Sequence, residues 1–126
     1  VIAVCLGLAG VVWAELAGEG FTLAWQHSVE KVRWAEDYQI VGDQLLLREA
    51  RVRGSGAGME VPAGALFAQG QWRYWPGLRL DRLRLGRTPE AGDYQLCQTG
   101  SCRPMSHWIG PPAAEVAAVE VWVCDV

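Results

Sequence analysis

A chain of 126 residues with a formal net charge of −3 can bury one core, and it lacks the basic excess that nucleic-acid binding requires. Its residues are 51% hydrophobic and 20% charged. That excludes a disordered chain, and no polybasic cluster marks a membrane surface. Seven Trp residues suit a core that continues into an exposed aromatic surface.

The chain opens with VIAVCLGLAGVVWA, an uncharged run that stops at Glu15. The run has no amphipathic period. It reads as the h-region of a secretory signal or as an N-terminal anchor over residues 1–14, ahead of a single domain at 20–126. Val12-Trp13-Ala14 would permit cleavage after Ala14. The run is shorter than the roughly 20 residues of a spanning helix. The competing reading is a buried first strand or helix.

Phe21 to Arg53 carries the densest signal: three strand-like runs joined by short connections. Val41-Gly42-Asp43-Gln44 reads as a two-residue hairpin loop, with Gly42 at the positive φ of a type II′ turn. That register sets Tyr38 against Leu47, Glu36 against Glu49 and Trp34 against Arg51. On the other side, a loop at Glu30-Lys31-Val32-Arg33 sets Val29 against Trp34, His27 against Glu36 and Trp25 against Tyr38. His27, Glu36 and Glu49 then share one row on an otherwise apolar face, with Arg51 one step away. Such a row must share protons, pair with Arg51 or hold a cation, because unpaired buried charge is costly. It is either a structural network that pins the register or a binding site.

Gly54, Gly56, Ala57 and Gly58 follow in a tight loop. Their backbone N–H groups could form an anion nest, but no GK[ST] follows, so this is not a phosphate loop. A strand from Gln71 to Trp75 ends at Pro76-Gly77. Leu78 and Leu80 alternate, as do Leu83 and Leu85, with a step of three between the pairs. That phase change predicts a bulge or corner at Asp81-Arg82, with Leu80, Leu83 and Leu85 all inward. Arg73, Arg79, Arg82, Arg84 and Arg87 read as a solvated face. Cys97 and Cys102 flank a short loop at a spacing that suits a disulfide, which leaves Cys124 free and buried. A zinc site from Cys97, Cys102, His107 and Cys124 has suitable ligand types but no recognisable spacing. Glu115 to Cys124 has apolar residues on both faces, as in a central strand. The whole reads as all-β: an antiparallel β-sandwich or small barrel of about seven to nine strands after the apolar leader.

FTLAWQHSVEK, then WAEDYQI, then LLLREARVRGSGAGM resembles the small secreted bacterial family catalogued as domain of unknown function eighteen-fifty. His27, Ser28, Glu30, Glu36 and Gly56-Ala57-Gly58 match its pattern. The family carries no assigned activity. Its genes often neighbour TAXI-type tripartite (TRAP) transporters, so the resemblance implies an accessory role at the bacterial envelope, with transporter subunits or a small solute as partner. The expectation is therefore a periplasmic or otherwise extracytoplasmic, non-catalytic module with no cofactor, possible membrane anchorage residing in the N-terminal run. His27 and Ser28 are adjacent strand positions on opposite faces and cannot form a base–nucleophile pair, and no G-x-S-x-G elbow is present. The alternative is a metal-binding module or hydrolase built on the His27/Glu36/Glu49 row.

Overall fold

The computed structural model of the protein describes residues 1–26, 32–53, 62–89, 92–112 and 118–126. Tight turns set its local order. The β1 (Ile2–Leu8) and β2 (Val11–Leu16) hairpin turns at Ala9-Gly10. The β6 (Leu66–Ala68) and β7 (Gln71–Tyr74) hairpin turns at Gln69-Gly70, and the β10 (Gln95–Gln98) and β11 (Ser101–Pro104) hairpin at Thr99-Gly100. Both central residues of each turn have positive φ, the type I′ geometry whose twist matches that of the strands. Between β4 (Arg33–Val41) and β5 (Gln44–Arg53), Gly42 alone is positive, at φ 63°, as the type II′ reading expected. The remaining elements are β3 (Gly20–Gln26), β8 (Leu78–Leu80), β9 (Leu83–Gly86), a single turn of helix α1 (Ser106–Ile109), and β12 (Ala118–Asp125).

The strands form two antiparallel sheets. The smaller has the order β2-β1-β12-β9. The larger runs β11-β10-β3-β4-β5-β7-β6, with β8 also paired to β5. The core lies between them, built from Val4, Leu6, Val119 and Val121 on one side and Phe21, Leu23, Tyr38, Leu45 and Leu47 on the other. The fold is therefore an open sandwich and not a barrel. Its strands number twelve among the described residues, against about seven to nine expected. The surplus is the N-terminal hairpin and several strands of three or four residues, too short to show a period of two.

The N-terminal run requires a correction. Residues 2–8 and 11–16 form β1 and β2 inside the smaller sheet, where β1 lies between β2 and β12. Val4, Cys5 and Leu6 are fully buried. A central strand covered on both faces must be apolar at every position, which also removes any amphipathic period. Gly7 sits at a bulge in this hairpin, where a Cβ would lie 1.8 Å from the Val11 carbonyl oxygen. The expected corner at Asp81-Arg82 is present: β8 pairs with β5 in one sheet and β9 with β12 in the other. Leu85 lies in the core, and Leu80 and Leu83 pack against it.

Candidate functional site

The expected row is split by one residue. From the turn, β4 and β5 pair as read, Val41 with Gln44 through Tyr38 with Leu47. The next pair is Asp37 with Glu49, so Arg48 is the extra residue of a β-bulge. Beyond it every β5 side chain changes face. Ala50 and Val52 point into the sandwich, while Glu49, Arg51 and Arg53 point out. Glu36 stands opposite Ala50, not Glu49. Across β3 its partner is Leu23, and Trp25 faces Trp34. The connection between β3 and β4 is longer than Glu30–Arg33, which slides the pairing by an even number of residues and leaves each face intact. His27 and Ser28 lie outside the described residues, as do Gly54, Gly56, Ala57 and Gly58. Glu36 and Glu49 are on opposite faces of the sheet and cannot share a metal ion or a reaction centre. This removes the metal and hydrolase readings that needed both.

On the outer face Asp37 and Glu49 are both paired with arginines. Arg51 grips Asp37 through two hydrogen bonds, 2.7 and 2.8 Å, and its Nη1 also donates to Glu49. Arg73 takes the other Glu49 oxygen at 2.7 Å, and the Thr22 hydroxyl donates to Asp37 at 2.7 Å. The bond from Arg51 holds the Asp37 carboxyl below its ordinary range, and the same bond raises Arg51. This network ties β3, β4, β5 and β7 together.

On the inner face Glu36 is surrounded by aromatic rings. Tyr94, Trp25, Trp34, Val52, Trp72 and Phe67 follow one another across successive strands. Trp25 and Trp34 stack at 6.0 Å between centroids, Tyr94 meets Trp25 edge-on at 5.9 Å, and Phe67 meets Trp72 at 5.0 Å. Glu36 lies one step along, in the row of Leu23, Ala50 and Tyr74. The Tyr38 hydroxyl donates to its Oε1 at 2.8 Å. Among the described residues its Oε2 has no partner. Burial raises the Glu36 pKa, partly opposed by the Tyr38 bond. Burial also raises Tyr74 and Tyr94, with the nearby Glu36 charge adding to each. Toward the β4–β5 turn this face is sealed by the smaller sheet, but Trp25, Trp34, Trp72 and Tyr74 stay half-buried.

Sequence reasoning thus found Glu36 and missed its setting. Trp25, Trp34 and Tyr38 were assigned to the correct face, but Tyr74, Trp72 and Tyr94 were not brought to it, because their strands are non-local partners. Cys97 and Cys102 are bonded as expected, whereas Cys124 is bonded to Cys5. Setting Cys5 aside in a leader concealed that partner. With all four sulfurs in disulfides, the zinc reading has no thiolates. Arg87 is no surface residue either: it is 6% exposed and bound to Asp93 and the Gly110 carbonyl.

The class defined here is a disulfide-braced, open antiparallel sandwich whose larger sheet sets half-buried aromatic side chains beside the Glu36 carboxylate. A family model described as Domain of unknown function (DUF1850) matches residues 21–105, and the chain belongs to that family. The match covers the meander, the Trp segment and the β10–β11 hairpin. No curated protein and no solved structure matches the chain.

Proposed function

We propose that this domain is a non-catalytic, extracytoplasmic binding module that serves a TRAP-type solute transporter, and that its ligand seat is the Glu36 carboxylate with the aromatic rings beside it. The observation that carries the binding role is the Glu36 carboxylate. One of its oxygens is held by Tyr38, and it sits among half-buried Trp and Tyr rings on the larger sheet. A carboxylate beside π faces attracts a protonated or quaternary nitrogen. Two disulfides suit an oxidising compartment such as the periplasm. The transporter partnership rests on the family resemblance.

Protein recovered from the periplasm, analysed by native mass spectrometry, should carry a small cationic solute or transporter subunits. Recovery of neither would count heavily against the reading. Titration with choline and putrescine, followed by tryptophan fluorescence, should give saturable binding that Glu36→Gln weakens at least tenfold. Equal binding by wild type and Glu36→Gln would remove Glu36 as the seat.

A further inference from the structure

The outer face of the larger sheet holds a recess of about 260 Å³, with Thr22, Ala24 and Ala35 as its floor and Arg33, Arg51 and Arg53 on its walls. Short side chains on β3 and β4 make the trough, and the long β4 and β5 side chains rim it. Arg33 and Arg53 stand directly opposite one another in register. Like charges so placed are destabilising, and this face shows how such a pair could have been neutralised. Arg51 has Asp37 and Glu49, and Arg73 has Glu49. Those carboxylates are already taken. Among the described residues neither Arg33 nor Arg53 has an ion-pair partner. Their row continues with Gln26 on one side and Gln71 on the other, so it offers guanidinium and amide donors and no carboxylate.

From this geometry we infer that the recess binds a small dianion clamped between Arg33 and Arg53, either a short dicarboxylate or an inorganic oxyanion. Two arginines at directly opposed strand positions supply planar forks of N–H donors, which match carboxylate or oxyanion oxygens pairwise. The ligand supplies the negative charge that the sheet withholds, and the Gln71 amide lies within the same recess. The site is independent of Glu36, which lies on the other face of the sheet, so either can fail without the other. Both arginines are exposed, so affinity should fall as ionic strength rises.

The test titrates the full chain with succinate and with sulfate against chloride at matched ionic strength, by calorimetry and by thermal melting. Saturable binding of either anion, weakened at least tenfold in Arg33→Gln and in Arg53→Gln but kept in Arg79→Gln, supports the site. Arg79 is an exposed arginine on β8 outside the recess. Which anion saturates identifies the class. The ligand-free Arg33→Gln and Arg53→Gln proteins should melt at or above the wild-type temperature in low salt, since each substitution removes a like-charge contact. Three results would overturn the inference: no saturation beyond chloride, equal loss in Arg79→Gln, or a lowered melting temperature in the ligand-free variants, which would assign the pair to the fold.

Discussion

Glu36 and Asp37 are neighbours in β4 with opposite surroundings, and their titrations should move stability in opposite directions. Asp37 is held low by Arg51, with Thr22 adding a further bond. Its folded pKa lies below its unfolded one, so its stabilisation is present at neutral pH and is lost as pH falls below 3.8 through the folded value. We expect Asp37→Asn to lose about 1–2 kcal/mol at pH 7, reduced from a buried-pair value because about a third of the carboxylate is in water. Urea unfolding as a function of pH checks this, and the gap from wild type should close in strong acid. Glu36 runs the other way. Burial raises its folded pKa above 4.5, so the folded state binds the proton more tightly and stability declines as pH rises through that folded value. Gln keeps the acceptor that Tyr38 uses and removes the charge. Glu36→Gln should therefore melt at or above wild type at pH 7, with the advantage vanishing as pH falls toward 4.5. A clear loss of stability at pH 7 would make Glu36 a structural residue.

At the scale of elements, the bulge at Arg48 decides what the larger sheet can do, and its trace is in the sequence. Leu45 and Leu47 set one phase in β5, and Ala50 and Val52 set the other. The same argument located the corner between Leu80 and Leu83 correctly. It was obscured in β5 because Glu49 and Arg51 continue the phase of Leu45 and Leu47 and look like a polar row on one face. Small Ala50 is too weak a marker to contradict them. Arg87 was misread for a related reason: five arginines in one segment look like a solvated surface, and burial by a non-local partner leaves no local sign. In the structure Arg87 joins the end of β9 to Asp93 at the start of the β10 hairpin and to Gly110 after α1. Asp93 also accepts from the backbone N–H groups of Tyr94 and Ser106. Removing the cation from a buried pair strands its partner, so Arg87→Ala should cost about 3 kcal/mol. Asp93→Ala should cost a similar amount, and the double variant well less than the sum. Chemical denaturation of the three variants measures this, and strict additivity would refute the coupling.

At the scale of the whole molecule, the pairing of β1 with β12 joins the two ends of the described chain, Ile2 against Asp125 through Gly7 against Glu120. Periodicity shows that each of these strands is apolar on both faces, but it carries no information about which strand lies beside which. Cys5 and Cys124 lie on the same face of this pair, one step apart diagonally, and their bond closes a loop with a sequence separation of 119. Cys97 and Cys102 sit directly opposite in a hairpin, with a separation of 5. The difference in separation sets an order of effects. If a disulfide acts chiefly by restricting the unfolded chain, the long loop contributes about 5 kcal/mol and the short one about 2. Both β1 and β12 are central in the smaller sheet, which supplies Val4, Leu6, Val119 and Val121 to the core, so loosening their pairing opens one whole layer of the sandwich. We therefore expect Cys5→Ser/Cys124→Ser to lose more stability than Cys97→Ser/Cys102→Ser in urea unfolding at neutral pH. We also expect its melt to remain cooperative, because the strand pairing persists without the bond. Equal losses, or a larger loss from the hairpin pair, would mean that local constraint in β10–β11 outweighs closure of the chain ends.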